Sequence, residues 1–541
     1  MLQGISPPLE VAMNAFFQHH KNSIRFAYRC FDRILLNAVI QPFQQAERVI
    51  GFFSNIPVKL SELHRTMFVL ATLPILEVSM RARLFGCLIA LFASVLLSAQ
   101  PPAASPGLAV YQPKPYVQLK HPDWAKSAAI YQMNLRQFTP EGTFRAAEKD
   151  LPRLKQLGIG IIWLMPIHKI GALHRKGSLG SPYAVEDYYS VNPEFGTLDD
   201  LKHFVAAAHA LGLHVILDWV GNHTAWDNVL VTQHPDWYAR NWKGEFTPTP
   251  WWDWDDIIDL DYSKPALRQY MTEAMLYWVK TADVDGYRCD AAGFVPLDFW
   301  NEARRQMDAI KPTFWLAEWQ SRDMEARSFD MLYGWSWYDA VRAVTTGKKV
   351  DLSEIFTYYS WNEKFYPRDG ITMIFVSNHD KNAWEGTEFE QFGPGLDPAI
   401  VLSVIGEGMP LIYNGQEAGY THRLKFFEKD PIVWKPSAEG DLYQKLFALK
   451  SANTALWNAH WGARMIPVVN NAPNQVLSFV RKNDKDKIFA VINLSGQPQS
   501  VTFQDRLYHG HYTEYFSRQL TDLDASTRLE LRPWSYMVFV Q

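Results

Sequence analysis

The stretch Asp283-Val284-Asp285-Gly286-Tyr287-Arg288-Cys289-Asp290-Ala291-Ala292 decides the fold. It reads as a short buried strand ending in an exposed carboxylate, with an arginine two residues earlier. Side chains alternate along a strand, so Arg288 and Asp290 point the same way. A cation beside an aspartate favours the ionised carboxylate at neutral pH, the form a carboxylate nucleophile requires. An Arg-x-Asp pair alone is more often a plain ion pair, so its meaning depends on what surrounds it.

Working outward, apolar strands alternate with helical segments. Upstream, Ala128–Met133, Ile161–Pro166 and Val215–Asp218 read as strands. Thr143 opens a helix through Leu157 that Gly158 stops, and Thr197-Leu198-Asp199-Asp200 caps another that runs to Leu211-Gly212. Downstream, Phe314–Glu318, Met331–Tyr333, Met373–Ser377 and Pro410–Tyr413 continue the series. Largely apolar strands separated by helices indicate a parallel sheet covered on both faces. Eight such units predict an α/β fold of the (β/α)8 TIM-barrel type, with its working residues at the C-terminal strand ends.

The barrel is expected over residues 105–460. A short insert after the third strand, 224–261, is rich in Trp, Pro and Asp, densest at Pro250-Trp251-Trp252-Asp253-Trp254-Asp255. From Trp461 the helical period disappears. Val476–Val480, Ile488–Ile492 and Tyr536–Val540 read as strands of a C-terminal all-β sandwich domain, 461–541. Residues 1–79 do not resemble the rest of the chain. At 80–104, Met80-Arg81-Ala82-Arg83 leads into the apolar run Leu84–Leu97 and a small-residue end, the pattern of a secretory signal peptide cleaved near Ala99 or Ala104. The run is short for a bilayer span, and Pro101-Pro102 ends it. The expectation is translation from Met80, with 1–79 outside the native protein, and a secreted or periplasmic product without a stable membrane span. Of three cysteines, Cys30 and Cys87 precede that product, so Cys289 has no internal partner.

Composition excludes several classes. The 541 residues carry a net charge of −4, which gives no electrostatic case for nucleic acid. The aromatic share is 14%, with 21 Trp, which suits stacking on sugar rings as well as core packing. Carbohydrate is therefore the partner to test first.

Polar groups stand at several strand ends: Asp218 to His223 after the third strand, Arg288 and Asp290 at the fourth, Glu318 at the fifth, and Asn378-His379-Asp380 after the seventh. Acids gathered on one rim cost stability through like-charge repulsion, so a catalytic arrangement explains them better than a structural one. These segments, as Asp218-xxx-Asn222-His223, Gly286-Tyr287-Arg288-Cys289-Asp290, Ala317-Glu318-Trp319 and Ser377-Asn378-His379-Asp380, resemble the motifs of the α-amylase superfamily, glycoside hydrolase family 13. Ile167–Asp187 and Asp259-Leu260-Asp261 match two supporting motifs, and the resemblance covers about residues 120–541.

The resemblance implies a secreted retaining hydrolase of α-1,4-glucosidic bonds in starch or maltodextrins. In that reading Asp290 is the nucleophile, Glu318 the general acid/base and Asp380 the third carboxylate. His223 and His379 hydrogen-bond the sugar in the cleaved unit, Arg288 holds Asp290 anionic, and Tyr183 is the aromatic platform. Retention needs one ionised and one protonated carboxyl about 5 Å apart. Glu318, flanked by Trp315 and Trp319, is expected to have its pKa raised. Asn222 and Asp259 match positions that help bind structural Ca2+ in relatives, and no organic cofactor is implied.

Two departures stand out. Where relatives carry His-Gly-Tyr-Trp this chain has Ser181-Pro182-Tyr183-Ala184, and where many amylases carry Lys-His after the nucleophile it has Gly293-Phe294. Trp319, Trp251, Trp252 or Trp254 are candidates to replace the lost contacts. The alternatives are an α-glucosidase, cyclomaltodextrinase or glucosyltransferase on the same site, or a non-catalytic carbohydrate-binding relative.

Overall fold

The computed structural model describes residues 116–541. The expected extension (1–79), the signal peptide (80–104), Cys30 and Cys87 lie outside the described residues. Eight parallel strands form a closed barrel: β1 (Ile130–Met133), β2 (Ile161–Leu164), β3 (His214–Val220), β4 (Gly286–Asp290), β5 (Phe314–Ala317), β6 (Met331–Tyr333), β7 (Ile371–Ile374) and β8 (Met409–Tyr413). Each pairs with its sequence neighbours, and β8 closes on β1. The strands are buried almost throughout, as their unbroken apolar character demands. Register places the functional residues: Asp218 pairs with Arg288 across β3 and β4, Val220 with Asp290, and Cys289 with Ala317 across β4 and β5.

Most helices obey their sequence signals. Leu198–Ala210 opens on a reciprocal capping box between Thr197 and Asp200. The segment expected as one helix from Thr143 to Leu157 is instead two, Phe144–Glu148 and Leu151–Leu157. Pro152 lacks an N–H and sits in the second helix's first turn, the place a proline tolerates. Gly158 does end it, in a left-handed conformation at φ 103°, donating to Leu154 and Lys155. The seventh strand stops at Ile374 rather than Ser377. Ile374 stands opposite Pro410, which has no N–H to carry the ladder further.

The insert is anchored by a hairpin pairing His223–Ala225 with Ile257–Asp259. Beyond the barrel, β9 (Met465–Pro467), β10 (Val476–Lys482), β11 (Lys487–Asn493), β12 (Gln499–Val501), β13 (Gly510–Glu514), β14 (Leu520–Leu523), β15 (Leu529–Leu531) and β16 (Tyr536–Val540) make the C-terminal domain. Six form an antiparallel sheet in the order β9-β10-β11-β16-β13-β14, and β12 pairs with β15. Alternation gives the larger sheet two apolar faces. Leu477, Phe479, Ile488, Ala490 and Ile492 join the barrel's core. Val476, Val480, Phe489 and Val491 pack with Val501, Leu529 and Leu531 of the smaller sheet. Among the described residues no helix is long and apolar enough to cross a membrane.

One buried ion pair ties the layers together. Asp330, just before β6, accepts hydrogen bonds from Arg304 Nη1 on helix Leu297–Asp308 (2.7 Å) and from Trp315 N on β5 (2.7 Å), and pairs with His121 Nδ1 (2.7 Å). Both charged side chains are at most 2% exposed. Asp330→Ala would leave Arg304 buried with only the more exposed Asp308 as counter-charge (2.7 Å) and Trp315 N without its acceptor, and is expected to destabilise the fold by about 3–5 kcal/mol, measured by urea denaturation.

Candidate active site

The site is built around Arg288, whose side chain is fully buried inside the barrel. Its Nη1 donates to Asp218 Oδ1 (2.7 Å) and to Asp290 Oδ1 (2.9 Å), and its Nε to the Tyr333 hydroxyl (3.2 Å). Its Nη2 lies 2.9 Å from Glu318 Oε2. That contact is electrostatic and lacks hydrogen-bond geometry, which leaves Nη2 without an acceptor. Asp290 and Glu318, 28 residues apart in the chain, therefore meet on the two prongs of one guanidinium. Alternation along β4 and the register with β3 and β5 bring them there.

The two carboxyls differ in acidity. Burial pushes Asp290 up to about 6, against the pull of Arg288, with neighbouring Asp218 adding to the rise. Arg288 thus limits the rise rather than holding Asp290 at an ordinary carboxylate value. Glu318 is pushed up to about 8, again first by burial, with Arg288 opposing and Asp290 and Asp380 reinforcing it. Its Oε2 also accepts from the Ala291 backbone N–H (2.7 Å). The apolar flank differs from expectation. Trp315 faces outward, packed on Tyr287, Trp300 and Phe329 in the helix layer, because odd positions of β5 point away from the barrel axis. Trp319 alone of the two lines the cleft.

The remaining expected residues assemble beside this pair. Tyr183 donates its hydroxyl towards Asp218 Oδ2 (3.1 Å) and lies 2.9 Å from His379 Nε2, with its ring stacked on that histidine at 5.5 Å. His379 Nε2 is 3.3 Å from Asp380 Oδ2, and Asp380 is 42% exposed to the cleft. His223 Nε2 lies 3.9 Å from Asp290 Oδ2. Burial lowers both histidines to about 4, so they are neutral hydrogen-bonding groups at pH 7. Three supports were not assigned roles from sequence. Gln132 on β1 contacts His379 Nδ1 at 2.6 Å, Asp218 is the closest partner of Arg288, and Tyr333 on β6 bonds the guanidinium. A glutamine inside an otherwise apolar strand was the available signal for the first.

These groups open into a cleft of about 830 Å³. Trp252, Trp254, Phe294 and Trp319 line one part of it, whereas Trp251, at 104% relative exposure, points into solvent outside the lining. Phe426 lies nearly parallel to Tyr183 at 6.2 Å, and Trp384 packs on Phe426 at 5.3 Å. The aromatic wall missing from Ser181-Pro182-Tyr183-Ala184 is thus supplied from beyond β7 and β8.

Asn222 and Asp259 do come together, but as a hydrogen-bonded pair. Asn222 Nδ2 donates to Asp259 Oδ1 (3.1 Å), and Thr249 Oγ1 donates to the same oxygen (2.5 Å). Ca2+ takes six to eight oxygens, usually with several carboxylates. One carboxylate, already accepting two hydrogen bonds, does not fit that cage.

In the retaining reading implied by the resemblance, where Asp290 acts as the anion and Glu318 as the acid, activity is expected to fall below about pH 6 as Asp290 gains a proton. It is expected to fall again above about pH 8 as Glu318 loses one. A kcat/KM profile from pH 4 to 10 checks this. EDTA is expected to leave the Tm unchanged, and a drop restored by Ca2+ would contradict the reading of Asn222 and Asp259.

Comparison with known proteins agrees with this geometry. Residues 127–465 match the family model for the alpha amylase catalytic domain, and residues 466–538 match that for the maltogenic amylase C-terminal domain. The chain is 33% identical to the maltogenic alpha-amylase AmyB from Thermotoga neapolitana, whose crystal structure superposes with a TM-score of 0.69 over 77% of this chain and 98% of that one. It is 27% identical over 436 residues to a maltogenic alpha-amylase from Bacillus acidopullulyticus (70% of this chain, 72% of the relative). It is 25% identical over 421 residues to a cyclomaltodextrinase from a Bacillus species (69% and 73%). The chain belongs to the α-amylase family of glycoside hydrolases, and the convergence of Asp290, Glu318 and Asp380 on one cleft is the form that membership takes here.

Proposed function

We propose that this protein hydrolyses α-1,4-glucosidic bonds of starch or maltodextrins with retention of configuration. The observation that supports this best is the pairing of Asp290 and Glu318 on one buried guanidinium, with Glu318 the weaker acid. Asp290 attacks the anomeric carbon while Glu318 gives its proton to the departing glycosidic oxygen. The glycosyl group is then carried on Asp290. Glu318, now a carboxylate, takes a proton from water, whose oxygen displaces Asp290 and restores both groups. Asp380 and the neutral His223 and His379 grip the hydroxyls of the sugar being cleaved, and Tyr183 supports its ring. Export is proposed on the signal-like segment 80–104.

A second reading, cyclomaltodextrinase activity on the same residues, is favoured by the relative of that name. Initial rates on soluble starch and on β-cyclodextrin separate the two.

Glu318→Gln keeps the shape but has no proton to give. It is expected to reduce kcat on maltotriose by at least about 100-fold, at the low end for loss of a general acid, while binding measured by calorimetry persists. The first product released by the wild type is expected to be the α-anomer by proton NMR. A β-anomer, or undiminished turnover by the variant, would refute the assignment.

A further inference from the structure

The barrel's other end carries a cluster that the cleft does not use. His209 lies in the last turn of helix Leu198–Ala210, His214 opens β3, and Asp285 immediately precedes β4. His209 Nε2 is 2.7 Å from Asp285 Oδ2, and His214 Nδ1 is 3.6 Å from Asp285 Oδ1. One ligand-type atom from each of the three lies within 4.8 Å of the other two. The carboxylate has a structural role already, since it accepts from Val215 N (2.8 Å) and Lys311 Nζ (3.0 Å) and so holds β4 against β3. That role explains Asp285 and Lys311, but not two imidazoles on the same carboxylate. His214 Nδ1 is buried and has no hydrogen-bond partner. A nitrogen that close to a carboxylate, yet too far for a hydrogen bond, suits a cation placed between them.

The donor set selects the ion. Zn2+ binds imidazole nitrogen and carboxylate oxygen at about 2.0–2.2 Å in a tetrahedron, which spaces ligand atoms about 3.4 Å apart. Separations here run from 2.7 Å to at most 4.8 Å, so small side-chain shifts close the set. The His214 ring is held in place by Trp124, stacked on it at 3.9 Å and 11°. On the other edge of its ring, His209 Nδ1 lies 3.5 Å from Asp283 Oδ2. A carboxylate behind the imidazole is the arrangement that orients metal-bound histidines. Both imidazoles are about a quarter exposed (26% and 24%), which gives an ion and a fourth, water ligand access. Two nitrogens and one carboxylate favour Zn2+ over Ca2+ or Mg2+, which require oxygen ligands.

We propose that His209, His214 and Asp285 form a reversible Zn2+ site that ties the helix before β3 to the first residues of β3 and β4. Lys311 competes with the ion for Asp285. When it releases that carboxylate its ammonium keeps two other acceptors, Asp283 O (2.8 Å) and Asp283 Oδ1 (2.7 Å), so it stays close by. Like charge at that range weakens binding, and occupancy therefore follows the zinc supplied. Protein in metal-free buffer has the same Tm with or without EDTA, and added zinc raises it.

The test titrates ZnCl2 into the full chain, after EDTA treatment and dialysis, by calorimetry at neutral pH, with Tm as a second readout. The wild type is expected to bind one equivalent and to gain Tm. His209→Ala and His214→Ala, with folding confirmed by circular dichroism, are each expected to weaken binding at least about tenfold and to lose the zinc-dependent gain in Tm. Lys311→Met removes the competing charge but no ligand, and is expected to tighten binding at least about fivefold. An excess of CaCl2 is expected not to displace the zinc. No zinc binding by the wild type would overturn the proposal. So would equal affinity in the wild type and both histidine variants, which means adventitious zinc only, and so would unchanged or weaker binding in Lys311→Met.

Discussion

Everything in the cleft depends on how one buried positive charge is shared. Arg288 is enclosed by Trp163, Tyr183 and Tyr333, with its guanidinium carbon 5.1 to 5.7 Å from their ring centres. It faces Asp218, Asp290 and Glu318, and Asp380 stands nearby. Neutral histidines add no compensation. A single cation cannot neutralise three ionised carboxylates away from water, so the set relieves itself by holding a proton. Two carboxylates bond Arg288 directly, through Nη1. Glu318 meets only an unaligned Nη2, and its pKa rises most, to about 8. Burial raises both acids first, and the aligned hydrogen bond from Arg288 reaches Asp290 but not Glu318, which adds to the difference between them.

That geometry is fixed by the barrel and not by local loops. Asp218 and Arg288 are register partners on adjacent parallel strands, and Tyr333 reaches the guanidinium from β6 across the barrel interior. Below, Asp285 at the opposite end of β4 accepts from Val215 N (2.8 Å) and Lys311 Nζ (3.0 Å) and contacts His209 Nε2 (2.7 Å), which fixes where β4 begins relative to β3. A slip of one residue in β4 would turn Arg288 and Asp290 outward together and place Cys289 inside. Anchors at both strand ends make such a slip costly.

This explains what could be read from sequence. Alternation over Arg288-Cys289-Asp290, the apolar strands and the polar residues after them are local properties, so the barrel and the meeting of its acids were legible. Contacts that depend on which strands face each other across the barrel were not. Gln132 supports His379 from 247 residues away, and its one local signal, a glutamine in an apolar strand, does not name the partner. Trp315 and Trp319 look equivalent around Glu318, but Trp315 lies within β5, whose parity sends it into the helix layer, whereas Trp319 lies past the strand's end at Ala317 and lines the cleft. The break between Glu148 and Leu151 was marked by Pro152, but proline is compatible with a helix start as well as with a helix end. Asn222 and Asp259, expected from the resemblance as calcium ligands, meet as a hydrogen-bonded pair. Their chemistry turned on Thr249, which occupies the shared carboxylate oxygen.

The departures from the family pattern are coordinated with one another. Losing a lysine after the nucleophile removes a long, flexible contact, and Gly293 leaves bare backbone in its place. Bare backbone is what allows the Trp319 indole to lie flat beside the acid, and an indole excludes water that a lysine would attract. Excluding water raises the cost of charging Glu318, which sustains the protonated form that Arg288 fails to discharge. Around Tyr183 the loss of one aromatic neighbour is met by Phe426 and Trp384, which arrive on the segments after β8 and β7. Phe426 keeps the Tyr183 ring parallel to it, and the Tyr183 hydroxyl is held at the same time by Asp218 and His379. The aromatic wall and the charge network therefore share a residue, Tyr183, whose hydroxyl reaches the aspartate that Arg288 bonds most closely.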